Sequence, residues 1–512
     1  LSLASKTAIS AQPRFARTEK GAAMMMSVLA GAMAAAVLTS APAAPPSYDA
    51  EAWRADFAQL RSELQARYVN LAWMGSYESG VDAPALVRRA EAALKAARDD
   101  AEASQALRAF VAGFHDGHLS ELAVLAPSSA AAAEPDKATL NPDDPVSGCA
   151  ALGYASTGSV AYSQAFESLP GVRLLGDGQD SVFRVGVAEV GGKRIGLVRI
   201  QVFRARAFPR ACRRAWDQAR AAGTPLTRRA IGEAAGRLWL QDLADQLKAL
   251  RAAGAQAVIV DVGGNGGGDD SGDWIPRLFG DHPIASAPLL VVDAPAGAAY
   301  LDEEIDDLTE ALNAGPSPKA KADLQAALAA FKARKARVGA APCDLSWVWR
   351  ERRPWRDLGC RRVIEAGYAD GPLPGLPAHA YGDPRTEQAL AWSTAVQDLY
   401  GAWPGPTYVL TDRKTFSAAE MFAATMRDNR VAKIVGAKTG GDGCGFMGDS
   451  PPLVLTHSRL RFRVPNCIRL RADGTDEVAG VAPDLPIEPT EGESDRARAA
   501  RLLQAVAADL GR

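Results

Sequence analysis

Histidine is scarce in this chain, with five in 512 residues, and aromatic residues make up only 7%. An excess of charge is also lacking. The formal net charge is -2 at pH 7, which gives no electrostatic hold on nucleic acid or an anionic membrane. There is no C-x-x-C pair and no histidine at zinc-ligand spacing, so no metal site is expected and no cofactor is implied. Long apolar runs are missing too. The run from Met24 to Leu38 falls short of the roughly 20 residues a membrane span needs. It follows Arg14, Arg17 and Lys20 and precedes the small residues Thr39 to Ala43, the pattern of a cleavable targeting segment. Residues 1–44 are therefore read as a signal segment, and the mature chain as periplasmic or secreted without stable membrane insertion.

Six cysteines are present, an even number, all beyond that segment. Export favours disulfides over thiols. Proximity in sequence suggests Cys343–Cys360 and Cys444–Cys467, which leaves Cys149–Cys212; free buried thiols are the alternative.

With 47% hydrophobic residues, the rest of the chain can bury a large core. Trp53, Phe57, Leu60 and Leu64 recur at helical spacing, and residues 45–120 read as an N-terminal helical domain. Residues 121–192 read as a linker followed by strands. Residues 193–290 read as the first part of an α/β core. There, a strand near Ile195–Ile200 leads through a helix from Thr227 to Ala253 to the continuous apolar strand Ala257–Val262. Residues 291–400 look like an insertion: a helical hairpin over 300–337, then an irregular stretch over 338–385. Its helical hairpin and the cluster of Trp347, Trp349 and Trp355 are candidates for a lid or substrate rim. Residues 401–490 return to the core, with strand Tyr408–Thr411, helix Ser417–Asp428 and strand Ala432–Val435. Residues 491–512 form a last helix.

Three stretches carry chemistry. Asp261 ends a strand and leads into Gly263-Gly264-Asn265-Gly266-Gly267-Gly268, where glycines let successive amides point into one space. Asp269 and Asp270 follow and would repel phosphate, so an oxyanion suits the loop better than a nucleotide. Ser417, in Thr415-Phe416-Ser417-Ala418-Ala419-Glu420, stands where a loop enters a helix. With Glu420 it could be a simple capping box, or a nucleophile helped by the helix dipole. His115 and His118 lie together in His115-Asp116-Gly117-His118-Leu119, and a serine nucleophile needs a base.

In this order, with Ile434-Val435-Gly436-Ala437-Lys438-Thr439-Gly440-Gly441, these stretches resemble the S41-type serine peptidases, which include the C-terminal-processing and tricorn-like proteases. The resemblance covers most of residues 48–490. It implies a mixed α/β (α+β) fold: a crotonase/ClpP-like core with an N-terminal helical bundle and a helical insertion. The processing branch uses a Ser-Lys dyad with the lysine about 25 positions after the serine. That place holds Asp442 here, and no PDZ domain is recognised before the Ile195–Ile200 strand. The tricorn-like branch fits better. It implies Ser417 as nucleophile, His118 as base, and Glu477, before Gly480-Val481-Ala482-Pro483-Asp484, as the carboxylate that orients His118. That branch has a serine before its histidine, where this chain has Gly117. The amides of Ala418 and of Gly266 or Gly267 would hold the oxyanion, and Asp261 would brace the loop. The implied activity is endopeptidase acyl transfer on protein or peptide substrates. A Ser-Lys peptidase using Lys438, or a ligand-binding protein on the same fold, are the alternatives.

Overall fold

The computed structural model describes residues 48–123, 140–178, 182–339, 343–355, 360–448 and 450–511. The signal segment expected over 1–44 lies outside them, as does much of the expected linker. Among the described residues no helix is long and apolar enough to cross a membrane.

The organising element is a seven-stranded sheet. In spatial order its strands are Leu485–Pro486, Ala432–Gly436, Thr407–Thr411, Ala257–Asp261, Lys193–Arg199, Arg184–Val190 and Val172–Asp177. The first five strands in this order run parallel; the last two join as antiparallel hairpin partners. Parallel neighbours require crossovers. One is the helix Arg228–Ala252, between Lys193–Arg199 and Ala257–Asp261, as the sequence pattern predicts. Another is Ala418–Asp428.

Both faces of the sheet are covered, and strand alternation divides its side chains between them. Val258 and Val260 face a core shared with Leu240, Leu243, Leu247, Leu250 and Phe422. Ala257 and Ile259 face the other way, onto Leu502, Leu503 and Val506 of the final helix, Asp495–Asp509. Every residue of Ala257–Asp261 is buried, which is why residues 257–260 read as an uninterrupted apolar run.

A second core unites helices Ala50–Arg67, Ala83–Ala96 and Asp100–Ala112 with parts of the chain far away in sequence. Asp49, Asp82 and Asp99 cap these helices with side-chain acceptors. Strand Ser120–Leu122 leaves this bundle and pairs antiparallel with Arg461–Arg463. The N-terminal domain is thus completed by residues from 343–355 and 453–464 and does not end at residue 120.

Three readings from the sequence change. The tryptophan cluster packs as part of the N-terminal core. Trp347 and Trp349 are buried in the N-terminal core, where Trp349 meets Phe110 and Phe114, and Trp355 packs edge-on against Trp73. An apolar cluster has the same composition whether it covers a cleft or seals two segments together. The stretch 338–385 is not wholly irregular: Val363–Tyr368 forms a strand in a three-stranded sheet with Pro288–Val292 and Cys467–Arg469. Helix Pro209–Ala221, which the sequence reading passed over, packs Trp216 into the main core. The helical hairpin is present as Pro295–Asn313 and Pro318–Lys335. Its Leu301, Leu308, Leu324 and Phe331 are fully buried in the main core, which makes it a buttress.

The three disulfides are Cys149–Cys212, Cys343–Cys360 and Cys444–Cys467, the pairing expected from sequence proximity.

Candidate active site

Strands Ala257–Asp261 and Thr407–Thr411 are parallel neighbours in register, with Asp261 opposite Leu410. Their carboxyl ends therefore release two loops side by side, the position where α/β sheets commonly bind ligands. The glycine loop follows the first and the Ser417 loop the second. They are stitched together: the Phe416 amide donates to the Asn265 carbonyl at 3.0 Å, and Thr415 Oγ1 donates to the Val262 carbonyl at 3.1 Å.

Asp261 fixes the start of the glycine loop. Its carboxylate accepts the Ser163 amide at 2.6 Å, the Ser163 hydroxyl at 2.5 Å, the Gly263 amide at 3.1 Å and Arg199 Nη1 at 3.2 Å. The loop then passes directly against the Ser417 turn. A Cβ placed on Gly267 would lie 2.6 Å from Ser417 Cβ and 2.9 Å from the Ala418 amide nitrogen. Gly267 has φ of 98°, so glycine is required both for space and for conformation.

The two oxyanion candidates in this loop separate here. The Gly267 amide donates to Asn265 Oδ1 at 2.8 Å and is committed. Among the described hydrogen bonds, the Gly266 and Ala418 amides have no acceptor. Ala418 is the first residue of its helix, where an amide has no intrahelical partner.

Ser417 itself has φ 53° and ψ -122°, a sparsely populated backbone state for a residue with a side chain. Its amide donates to Asp442 Oδ1 at 2.8 Å and, more weakly, to Glu420 Oε2 at 3.3 Å. Its hydroxyl oxygen lies 3.0 Å from His118 Nε2. The two residues are 299 positions apart, and the pairing of Ser120–Leu122 with Arg461–Arg463 brings His118 to this place. Burial pushes the His118 imidazole below its ordinary pKa, against the pull of Asp116. The ring is therefore neutral at pH 7, and Nε2 can accept the serine proton. Phe446 stands edge-on to the ring, with centroids 5.7 Å apart.

The remaining sequence candidates fall elsewhere. His115 is exposed with φ of 54°. Lys438 is exposed. Glu477 is buried and bound by Arg469, at 2.6 Å from Nε and 3.2 Å from Nη2. The carboxylates beside His118 Nδ1 are instead Asp442 Oδ2 at 3.6 Å and Asp116 Oδ1 at 3.9 Å. Glu477 acts on this region at one remove: Arg469 Nη2 also donates to the Gly443 carbonyl at 3.1 Å.

Glu420 was read only as half of a capping box. It is fully buried and anchors the loop that carries Asp442. Its carboxylate accepts Thr439 Oγ1 at 2.5 Å and the amides of Gly441, Asp442 and Gly443 at 2.7, 3.1 and 3.2 Å. Cys444–Cys467 ties the end of the same loop to strand Cys467–Arg469. Gly445 then passes His118 closely, since a Cβ there would lie 2.6 Å from His118 Cδ2 and 2.8 Å from Nε2. Gly445→Ala is expected to push the imidazole off Ser417 and slow hydrolysis by about 100-fold, since a misplacement near 1 Å costs that much. Initial rates on a labelled protein substrate, with circular dichroism to confirm folding, check this.

Residues 363–487 match peptidase family S41. This segment belongs to that family. It contains Ser417, Glu420 and Asp442, while His118 and the glycine loop lie upstream of it. That match supports a serine-type peptidase acting on peptides or proteins. Among solved structures, it is similar to mature CPAF, at 15% identity and a TM-score of 0.50 over 90% of this chain and 98% of that one. It is similar as well to a serine-to-alanine mutant of CPAF, at 12% identity and a TM-score of 0.54 over the same shares. At those identities the likeness concerns the fold. No curated relative matches the chain.

Proposed function

We propose that the protein is an exported serine endopeptidase, periplasmic or secreted, that works through an acyl-enzyme on Ser417. The observation that carries this reading is the 3.0 Å approach of Ser417 Oγ to His118 Nε2. His118 takes the hydroxyl proton as Oγ attacks the peptide carbonyl, then returns it to the leaving amine. The amides of Ala418 and Gly266 receive the oxyanion; one such donor contributes about 2.7–4 kcal/mol to the transition state. Glu477, which the resemblance implies as the third member, supports the site through Arg469 and the Gly443 carbonyl. Export is supported by the three disulfides, which persist in oxidising compartments.

A fluorophosphonate probe tests the reading. Intact-mass analysis is expected to show one adduct, on Ser417, absent from Ser417→Ala and strongly slowed in His118→Ala. Labelling that survives His118→Ala at the wild-type rate would remove His118 as the base and bring Lys438 forward. A folded wild-type chain that takes no label would point to a ligand carrier on this fold.

A further inference from the structure

Three carboxylates compete for the role of orienting His118, and their partners separate them. Asp116 Oδ1 accepts the backbone amides of His118 at 2.8 Å and Leu119 at 3.3 Å. Its Oδ2 accepts the Tyr68 hydroxyl at 2.6 Å. Asp116 therefore shapes the turn that presents His118. Glu477 is held by Arg469 through both oxygens. Asp442 bridges the two catalytic groups: Oδ1 accepts the Ser417 amide at 2.8 Å, and Oδ2 is the carboxylate oxygen nearest His118 Nδ1, at 3.6 Å. His118 Nδ1 is buried and makes no hydrogen bond of ordinary geometry, while the Asp442 backbone is close enough to favour the charged ring. A buried donor in that state gains from any small closure that gives it an acceptor.

Gly117 makes room for this arrangement. A Cβ at 117 would lie 3.1 Å from Asp442 Oδ2, so any side chain there would press on the carboxylate.

We propose that Asp442 is the positioning residue of His118, accepting Nδ1–H and fixing the tautomer in which Nε2 takes the Ser417 proton, with Gly117 as its matched partner. This rests on the Ser417–His118 reading given above. The groups facing the pair are Asp116, Glu420 and Arg469. Burial raises the Asp442 carboxyl to about 6, against the hydrogen bonds from Glu420 and the Ser417 amide. Positioning requires the ionised carboxylate, so the rate should fall as pH drops through about 6.

The test is the rate of fluorophosphonate labelling of the mature protein between pH 5 and 9. In Asp442→Asn the amide NH2 would favour the opposite tautomer. Labelling at pH 8 is expected to slow by about 100- to 10,000-fold, in the range found when an orienting aspartate becomes asparagine. The acid limb should move to lower pH with it, leaving only the protonation of His118 itself. Gly117→Ala, whose added Cβ would meet Asp442 Oδ2, is expected to slow labelling by about tenfold and carries the test if Asp442→Asn misfolds. Glu477→Gln, whose oxygens meet Arg469 and not His118, is expected to lose thermal stability and to slow labelling of its folded fraction far less than Asp442→Asn does. Labelling of folded Asp442→Asn within about threefold of wild type, or an unaltered acid limb in it, overturns the proposal. So does a fully folded Glu477→Gln chain that alone loses labelling. A folded wild-type chain that takes no label overturns the underlying reading first, and this one with it.

Discussion

Ser417→Ala is expected to reduce hydrolysis of a labelled protein substrate by about 10⁴- to 10⁶-fold, as loss of a nucleophile does in serine peptidases whose residues act as a unit. Thermal stability should change little. Ser417 Oγ faces His118 and is not needed to hold the helix, because the orphan amide at residue 417 is satisfied by Asp442 and Glu420. Alanine keeps the same Cβ in the same φ 53° backbone, so it neither relieves nor adds to the strain there. His118→Ala should approach the same loss. The double variant is expected to be no slower than Ser417→Ala alone, because a base without its nucleophile contributes nothing further. Initial rates of the three variants, measured beside their melting temperatures, decide this. Additive losses would mean that the two residues do not share one step. Retained activity in folded Ser417→Ala would place the nucleophile elsewhere.

The Ser417 turn and the glycine loop are legible in the sequence because local rules dictate them. A glycine run after a buried strand, and a serine at the mouth of a helix, announce backbone geometry through residue type alone. The sheet core is legible for a related reason: a strand buried on both faces is apolar along its length, as residues 257–260 are. The position of Asp442 is visible too, but only as a departure, since a lysine stands there in the processing proteases. Sequence cannot show that its loop is drawn back under Ser417 by Glu420, or that Gly117, 325 positions earlier, leaves it space. Glu477 shows the reverse problem. Its motif context is suggestive, but Arg469, eight residues earlier on the neighbouring strand, occupies both its oxygens.

The long reach of His118 has the same origin. Its turn is closed by Asp116, which in turn holds Tyr68 at the end of the first helix. The ring is thus placed by a bundle whose core includes Leu453, Leu455, Phe462 and Val464 from beyond the nucleophile. The base and the wall opposite it belong to one packed unit. This explains why a chain with so few histidines can still fix one against a serine 299 positions away. The Cys444–Cys467 bridge and the hairpin residue Tyr300, which lies against Gly448, support that wall from the far side.

Glu420→Gln should show how much of the site depends on this buried framework. One carboxylate there serves five donors: the Thr439 hydroxyl and Gly441 amide on Oε1, and the Ser417, Asp442 and Gly443 amides on Oε2. An amide can replace only one oxygen's worth of acceptor, so at least two donors lose their partner, at about 1–3 kcal/mol each. Stability near pH 5 is expected to fall by about 2–6 kcal/mol on that basis, and labelling of Ser417 should fall as Asp442 leaves Nδ1. The pH dependence has a definite sign. Burial and the neighbouring Asp442 raise Glu420 to about 7, above the value of about 4.3 in an unfolded chain. The folded protein therefore retains a proton that the unfolded chain releases. The stability this contributes is complete below about pH 4 and is lost as pH rises through about 7. Urea unfolding of wild type and Glu420→Gln should show the wild-type margin narrowing from pH 5 to pH 8. Over the same interval, activity should rise as Asp442 ionises, so stability and rate move in opposite directions. A margin that widens with pH would mean that the four buried amides and Thr439 hold Glu420 ionised in the fold, and that Asp442 draws its proton from elsewhere.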